Sequence, residues 1–345
     1  MTPEPADSTV LVTGASGFIG LHCVRELLER GYHVRGTVRS LEREPSLRST
    51  LAKHVDTSRF ELVEANLLED GGWPEAAKGC RFVLHIASPV PSAPPKHEDD
   101  LIVPARDGTM RVLRAASDAG VERVVLTSSI SAVCEGYPRD ASRVFTEDDW
   151  SNLEGELSAY DKSKTLAERA AWDFVESLPA DRPLELSVIN PALVLGPLLE
   201  PDYSVSVEAI RKLMRKEYPG VPRLGWQTVD VRDVASAHVA AMTTPEAAGQ
   251  RFICGVDFVW MKEMAEILTR NFASEGYELP TRTLPNFVVR LAALFDRVTA
   301  VVVPRLGLEL HLSNEKIKRV LGWEPRETEE QIVSAGRSLI DLGVV

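Results

Sequence analysis

The sequence of 345 residues has few cysteines, and the four that it has are far apart. They are Cys23, Cys80, Cys134 and Cys254, and no two of them form a C-x-x-C pair. A disulfide framework or a cysteine metal site needs paired spacing. We therefore expect reduced, mostly packed thiols and no metal site.

Long hydrophobic runs are also missing. The most apolar stretch, residues 287–303, contains Arg290, Asp296 and Arg297, so we interpret it as an amphipathic helix and not as a membrane span. The first residues are polar and acidic, with no basic segment before an apolar one, and predict no secretory leader. A cytoplasmic location is expected, without a membrane partner.

Basic residues are outnumbered. The chain has 39 Lys and Arg residues against 51 Asp and Glu residues, which gives a formal net charge of −12. A surplus of negative charge repels polyphosphate backbones, so no nucleic-acid partner is expected. Hydrophobic residues make up 44% of the chain, enough for an ordinary globular interior.

Short β-branched runs alternate with helical patterns along the chain. The runs predict strands near residues 9–13, 33–38, 60–64, 81–86, 122–127 and 184–190. This alternation is typical of a parallel sheet covered by helices on both faces. The chain exceeds the length at which one core stops growing, so a second, smaller domain is expected.

Residues 13–20 read T-G-A-S-G-F-I-G between a predicted strand and an amphipathic helix. Gly14, Gly17 and Gly20 permit a tight turn, close approach of a pyrophosphate to the backbone, and close packing of the helix on its strand. The helix N-terminus then offers free N–H groups and the positive end of its dipole to phosphates. Strand, glycines and helix follow in the order that a dinucleotide site requires, which favours such a site over a simple turn and helix cap.

A second signature opens a long helical pattern at residues 158–164, S-A-Y-D-K-S-K. Tyr160 and Lys164 are four residues apart and share one face of that helix. Lowering the pKa of a phenol by about three units requires on the order of 4 kcal/mol, which one cation about 4 Å away at an effective dielectric of about 20 supplies. We therefore expect Tyr160 to exchange a proton with a substrate near neutral pH.

A third signature is the run V-E-R-V-V-L-T-S-S at residues 121–129, which predicts a buried strand that ends in hydroxyls. Ligands bind outside the carboxyl ends of the strands in an open parallel sheet. Ser129 is thus placed to hydrogen-bond a substrate oxygen and to hold it against Tyr160. For Ser128, a cap of a turn or helix stays an open alternative.

These motifs resemble those of the extended short-chain dehydrogenases/reductases, in particular the dihydroflavonol 4-reductase group of the NAD-dependent epimerase/dehydratase superfamily. The segments that carry the resemblance are 13–20, 31–39, 78–89, 124–129, 160–172, 190–197, 229–238 and 321–325. The resemblance implies that Ser129, Tyr160 and Lys164 form the catalytic set. Tyr160 would be the proton donor in carbonyl reduction, and Lys164 would also bind the nicotinamide ribose.

The resemblance also implies a set of cofactor-binding residues. Besides Tyr160 and Lys164, these are Gly14, Ser16, Gly17, Phe18, Ile19, Gly20, Arg39, Asn66, Leu67, Ala87, Ser88, Thr127 and Pro191. Asn66 stands where the family more often has an aspartate beside the adenine, so an acceptor is kept and a charge is lost.

The end of the second strand predicts which cofactor is used. Enzymes that use NAD usually have Asp or Glu there, which binds the ribose hydroxyls and repels a 2′-phosphate. Here Val38 and Arg39 occupy the position, so a guanidinium is available for a bidentate phosphate contact. We expect NADP(H), with Arg39 as the main residue that binds its 2′-phosphate and Arg43 as a second candidate.

The expected fold class is α/β, a doubly wound parallel sheet of the Rossmann type with a smaller C-terminal α/β substrate-binding domain. The NADP-binding domain is predicted at residues 1–195 with a returning segment near 226–256, and the substrate-binding domain at 196–225 and 257–345. The returning segment is expected to hold a strand at 251–255. Residues 89–95, 134–137, 193–199 and 221–226 are expected to form apolar pocket walls.

The favoured function is an NADPH-dependent reductase that transfers hydride to a hydrophobic or aromatic ketone or aldehyde. Two alternatives stay open: a sugar-nucleotide epimerase or dehydratase with tightly bound NAD, and a non-catalytic cofactor sensor. A basic helix face carries Arg211, Lys212, Arg215 and Lys216. We favour its interpretation as an ordinary solvated face, with binding of a diphosphate, which the epimerase would need, or of a CoA phosphate as the alternative. The expected partner is a small carbonyl or alcohol compound, and the protein is expected to be a monomer or homodimer.

Overall fold

The computed structural model describes residues 5–89, 95–138, 140, 142–201, 205–217, 219–295 and 302–345. Its main sheet contains seven strands, and every neighbouring pair in it is parallel. The strands are β1 (Thr9–Thr13), β2 (His33–Val38), β3 (Phe60–Glu64), β4 (Phe82–His85), β5 (Arg123–Thr127), β7 (Glu185–Pro191) and β10 (Gln250–Cys254). Their order across the sheet is β3-β2-β1-β4-β5-β7-β10. The predicted doubly wound α/β fold is confirmed, including the returning strand.

Helices cover both faces of this sheet because the strands are apolar on both sides. Along β1, Val10 and Val12 pack into one core cluster, whereas Leu11 packs into another on the opposite face. The helices around the sheet are α1 (Phe18–Glu29), α2 (Glu44–Leu51), α3 (Trp73–Ala77), α4 (Asp99–Asp118), α5 (Ala159–Glu176), α7 (Val231–Thr243) and α10 (Glu315–Leu321). The cluster with Val10 includes side chains of α1 and α7, and the cluster with Leu11 includes side chains of α3, α4 and α5.

The second half of the chain also forms a smaller layer beside the main sheet. Its three strands are β8 (Leu193–Leu195), β9 (Gly225–Asp230) and β11 (Phe258–Trp260), with β9 parallel to β8 and antiparallel to β11. Its helices are α6 (Val205–Met214), α8 (Met261–Phe272), α9 (Asn286–Ala292) and α11 (Thr328–Asp341). Ile210, Leu268 and Leu339 bring α6, α8 and α11 into one core. The domain boundaries expected from the sequence stay a prediction.

A short parallel pair, β6 (Val144–Phe145) and β12 (His311–Leu312), joins the segment after β5 to the C-terminal part of the chain. Phe145 and Leu312 pack together with Val133 and Cys134 in a separate small cluster. This pair therefore holds C-terminal residues close to the carboxyl end of β5.

The structure shows where the cysteines and the most apolar stretch of the sequence lie. All four cysteines are buried free thiols. The apolar stretch at 287–303 forms helix α9 at its start, and its residues 296–301 lie outside the described part of the chain. Among the residues described, no helix is both long enough and apolar enough to cross a bilayer.

Candidate active site

The strand order places a crevice at the carboxyl edge of the main sheet. The chain runs outward from β1 through β2 to β3, then returns to β4 on the other side of β1. In open parallel sheets, ligands bind at the point where the order reverses, because the loops after the two central strands diverge there. The glycine turn follows β1, and Ala87 and Ser88 follow β4, so both predicted cofactor segments lie at this point.

The glycine turn has room for its close contacts only because side chains are absent. Gly14 has φ +67°, and a Cβ built on it would lie 3.1 Å from Ala87. A Cβ on Gly20 would lie 2.1 Å from the Gly14 carbonyl oxygen, which no side chain can accommodate. Gly17 caps α1 without any side-chain hydrogen bond, so the first N–H groups of that helix face outward uncapped, as a phosphate site requires.

Thr13 links the two loops of the crevice. Its Oγ1 accepts hydrogen bonds from the backbone N–H groups of Ile86 and Ala87, each at 3.0 Å, and lies 2.8 Å from His85 Nδ1. Burial lowers the pKa of His85 to about 3, so its imidazole is neutral at physiological pH. This fully buried, neutral side chain is therefore a packed core residue and not a proton carrier.

The three predicted catalytic side chains converge on the same edge. Ser129 follows β5 and its Oγ accepts a hydrogen bond from Ser131 N at 3.1 Å. Tyr160 and Lys164 lie on the first turns of α5, where a capping box between Ser158 and Asp161 fixes the helix start. The Lys164 Nζ lies 6.0 Å from the Tyr160 ring centroid, and the Ser129 side chain is near enough to the Tyr160 hydroxyl to lower the pKa of that phenol.

Burial shifts the two titratable groups of this set in opposite directions. Although 37% of the Tyr160 surface is exposed, protein atoms crowd its hydroxyl, and burial raises its pKa above the usual value despite the Ser129 hydrogen bond. Burial also lowers the pKa of Lys164 to about 8, and the nearby Glu168 carboxylate only partly offsets this. The protein groups by themselves therefore do not lower the pKa of Tyr160, because desolvation is the largest influence on it, and proton exchange by Tyr160 near neutral pH stays a prediction.

A buried carboxylate behind Lys164 was not predicted from the sequence. Glu168 accepts hydrogen bonds from Ser128 Oγ at 2.5 Å, Asn190 Nδ2 at 2.9 Å and Arg251 Nε at 2.5 Å. Its position was readable as the third member of a stripe with Tyr160 and Lys164, spaced by four residues. The open question about Ser128 is thereby answered, since its hydroxyl binds Glu168 and caps no helix.

Arg251 on β10 completes this buried pair. Its guanidinium lies 3.8 Å from the Trp150 ring and donates to the carbonyl oxygens of Glu147 and Asp149 at 3.0 and 2.8 Å. The returning strand was predicted, but its contribution to the site was not. Helix α5 is thus tied through Glu168 to residues of three strands or of the loops that follow them.

The remaining predicted cofactor residues lie along the same edge. Ala87, Ser88, Thr127 and Lys164 line one cavity of about 10 Å³. The Thr127 hydroxyl is 2.6 Å from His238 Nε2, and Pro191 ends β7. Ser16, Phe18 and Ile19 are half-buried in the turn that begins α1.

The two arginines after β2 differ in their surroundings. Arg39 is exposed directly after the buried Val38, and among the residues described it has no ion pair. Arg43 donates to the buried carboxylate of Glu200 at 2.7 Å. The expectation that Arg43 helps to read a phosphate is therefore wrong, because its charge is committed to a protein partner.

Asn66 and Leu67 follow β3 in a tight turn. The Asn66 side chain accepts from Leu68 N at 3.1 Å and donates to Glu69 Oε1 at 2.7 Å. The Leu67 carbonyl accepts from Arg111 at 2.9 Å. These bonds fix the turn, and a contact of the turn with adenine stays a prediction.

Part of the expected apolar pocket walls is buried core. Leu195, Leu198 and Val221 are buried in the core of the smaller layer, and Leu224 packs with Val289 and Leu306. Cys134 packs with Phe145. Of the wall expected at 89–95, residues 90–94 lie outside the described part of the chain. Hydrophobic character alone did not separate residues that face a ligand from residues that face the interior.

The basic residues of α6 and the turn after it do not form an open phosphate site. Arg211 is buried and pairs with Glu208 at 2.6 Å and Glu217 at 2.8 Å. Arg215 donates to the Val344 carbonyl oxygen at 2.7 Å. The diphosphate contact considered for this helix is therefore not supported, because acidic and carbonyl partners occupy these guanidinium groups.

A family model described as the NAD dependent epimerase/dehydratase family matches residues 10–255. The chain belongs to this family. The match begins in β1 and ends directly after β10, so it spans all seven strands of the main sheet. The family resemblance inferred from the motifs is confirmed.

Individual family members are similar along almost the whole chain. Cinnamoyl-CoA reductase 1 of Petunia hybrida is 38% identical over 337 residues, which cover 97% of this chain and 92% of that protein. Cinnamoyl-CoA reductase 1 of Arabidopsis thaliana is 37% identical over 343 residues, 99% of this chain and 91% of that protein. The crystal structure of yeast methylglyoxal/isovaleraldehyde reductase Gre2 complexed with NADPH has a TM-score of 0.82 and 30% identity, and covers 98% of this chain and 100% of that one.

Two substitutions in the glycine turn distinguish an effect on stability, expected at Gly20, from an effect on NADPH binding, expected at Gly17. We expect Gly20→Ala to destabilise the fold by about 1–3 kcal/mol, because its Cβ overlaps the Gly14 carbonyl oxygen. Gly17→Ala is the matched control, since its Cβ meets that oxygen at 3.3 Å and its φ of −84° suits alanine. We expect Gly17→Ala to melt near the wild type but to bind NADPH more weakly. Thermal unfolding and NADPH titration measure the two effects, and equal melting of the two variants would contradict the geometry.

Proposed function

We propose that the chain is an NADPH-dependent reductase of hydrophobic or aromatic aldehydes and ketones in which Tyr160 donates the proton. The broader class, an NADP-dependent oxidoreductase acting on carbonyl and alcohol groups, is confirmed by the reductases to which the chain is similar. The observation that carries the proposal is the convergence of Ser129, Tyr160 and Lys164 beside the glycine turn.

The residues at the crevice fit NADP(H). The cradle at Gly14 and Gly20 would be filled by any Cβ, and the uncapped start of α1 presents N–H donors suited to a pyrophosphate. Arg39 is placed at the end of β2 for a 2′-phosphate, with no carboxylate in that position. When bound, the reduced cofactor supplies the hydride.

The protein groups supply the proton and hold the substrate oxygen. The Ser129 and Tyr160 hydroxyls lie on the same edge of the site, so a carbonyl oxygen placed between them would accept from both. Burial keeps Tyr160 protonated at neutral pH, which is the form that a proton donor needs. As negative charge forms on the oxygen, Tyr160 transfers its proton, and the Lys164 ammonium and the Ser129 hydroxyl stabilise the phenolate left behind.

The choice of substrate class rests on two kinds of support. Relatives with 37–38% identity are named for an aromatic thioester, and the similar yeast structure is named for small aldehydes. Against the alternative of a sugar nucleotide, Arg211 and Arg215 are occupied by protein partners. A panel of aromatic aldehydes, aryl ketones, diketones, dihydroflavonols, an aromatic CoA thioester and sugar nucleotides, each followed by NADPH oxidation, compares these classes directly.

Replacing the proton donor tests the proposed chemistry. Tyr160→Phe should lower the rate of carbonyl reduction by about 10²–10⁴-fold, because it removes the hydroxyl proposed to protonate the oxygen, while NADPH binding is kept. Tyr277→Phe is the control, since it removes a hydroxyl that bonds only the Val345 carbonyl oxygen, at 3.3 Å. Steady-state rates and NADPH titration separate the two effects. A Tyr160→Phe enzyme within a few fold of the wild type would refute the assigned role.

The cofactor preference depends on Arg39. Arg39→Ala should weaken NADPH use by roughly 10–100-fold with little effect on NADH, because a charge-assisted contact of about 1.5–3 kcal/mol is lost. Arg43→Ala provides a matched control, because its guanidinium is paired with Glu200 and should leave the preference unchanged. The measured quantity is kcat/KM for each cofactor. Equal use of both cofactors by the wild type would end this assignment.

Glu168 sets the charge of Lys164, and its replacement should show in the pH profile. Reduction is expected to slow as the pH rises through about 8, where Lys164 loses its proton. Because the Glu168 charge favours the ammonium, Glu168→Gln should move this decline to lower pH. Glu147→Gln is the control, since that buried carboxylate accepts from Ile253 N at 3.0 Å on the far side of Arg251. A folded Glu168→Gln enzyme with an unmoved decline would contradict the coupling.

A further inference from the structure

Arg305 brings a positive charge from the C-terminal part of the chain to the catalytic edge of the main sheet. It ends a single helical turn, Val303–Arg305, next to the smaller layer. Its guanidinium pairs with the carboxylate of Glu135 and lies 3.5 Å from Asp161 Oδ1. Glu135 follows β5, and Asp161 is the residue directly after Tyr160.

The turn that carries Arg305 is anchored on the smaller layer. Leu306 is buried against Leu224 and Val289, and Gly307 N donates to the Arg223 carbonyl oxygen at 2.7 Å. Arg305 therefore reaches from one layer to the other, and the position of its charge depends on how the two layers meet.

The charges around the Tyr160 hydroxyl have opposite effects. The Asp161 carboxylate raises the pKa of Tyr160, and the Arg305 guanidinium lowers it. The groups that act on Arg305 in turn are Glu135, Asp161, Cys134 and Tyr160. Lys164 faces the same tyrosine from within α5, with its Nζ 6.0 Å from the ring centroid.

We propose that Arg305 is a positioning residue of the active site: held by Glu135 and Asp161, its guanidinium favours the phenolate that Tyr160 becomes after proton transfer. The catalytic meaning of this placement rests on the proposed function, whereas the pairing of Arg305 with Glu135 and Asp161 does not. Lys164 and Arg305 then share the stabilisation of one phenolate, the first from within α5 and the second from the C-terminal part of the chain.

The test titrates residue 160 directly. Incorporation of 3-fluorotyrosine at this position gives one fluorine NMR resonance, and the fluorinated phenol is acidic enough to titrate while the protein stays folded. In Arg305→Gln the midpoint should move to higher pH by on the order of one unit, which corresponds to about tenfold less phenolate at a given pH. Arg305→Lys keeps the cation, so its midpoint should stay close to that of the wild type.

Glu135→Gln distinguishes an electrostatic role from a tether. Arg305→Gln and Glu135→Gln break the same ion pair. If that pair served only to hold the two segments together, both variants should move the titration midpoint of residue 160 in the same direction. Our proposal predicts opposite signs or no change for Glu135→Gln, since removal of this carboxylate leaves the cation near Tyr160. An upward shift in Glu135→Gln equal to that in Arg305→Gln, or an unmoved midpoint in Arg305→Gln, would overturn the proposal.

Controls separate this proposal from folding and from the proposed function. Arg337→Gln removes another arginine of the C-terminal part, one paired with Glu275, and should leave the midpoint unchanged. Thermal unfolding checks that each variant is folded, and Arg305→Met, which also removes the charge, serves if Arg305→Gln is not. If Tyr160→Phe stays active but the Arg305→Gln shift is found, the electrostatic contact stands and its catalytic meaning falls. If Tyr160→Phe is inactive and no shift is found, the reductase stands and the role of Arg305 falls.

Discussion

The buried ion pair between Glu168 and Arg251 is the contact on which the arrangement of the active edge depends. Through Glu168, helix α5 is bound to Ser128 after β5, to Asn190 on β7 and to Arg251 on β10. Burying two charges is favourable only where geometry is good and the other hydrogen-bonding positions are filled. Here several donors converge on one carboxylate, so α5 has one position against the sheet, and the side chains one and two turns earlier are set with it.

Burial near this pair prepares the two titratable groups for reduction. A phenol with a raised pKa starts the reaction protonated, and a lysine with a pKa of about 8 still carries its charge at neutral pH. The low polarity that raises the pKa of Tyr160 also strengthens the attraction between a newly formed phenolate and a nearby cation. In the proposed reaction, burial therefore disfavours the Tyr160 phenolate before proton transfer, and Lys164 and Arg305 stabilise it afterwards.

Local patterns predicted the fold and pointed to the residues that we propose as the catalytic set, whereas partners distant in the sequence were missed. The strands, the glycine turn and the Tyr160–Lys164 spacing each depend on residues within a few positions of one another. Glu168 and Arg251 are separated by 83 residues, and Glu135 and Arg305 by 170. Arg39 and Arg43 look alike in the sequence, but Arg43 is paired with Glu200, 157 residues further along the chain, whereas Arg39 has no ion pair among the residues that the structure describes.

Contacts between residues that are far apart in the sequence also link the smaller layer to the proposed active site. Two contacts join C-terminal residues to the segment after β5: the short ladder between β6 and β12, and the pairing of Arg305 with Glu135. The ladder is made of backbone hydrogen bonds and apolar packing, which fix position with little effect on charge. The ion pair adds a charge whose effect falls with distance and with access of water. A shift between the layers would therefore change the electrostatic environment of Tyr160 before it changed the fold of either layer.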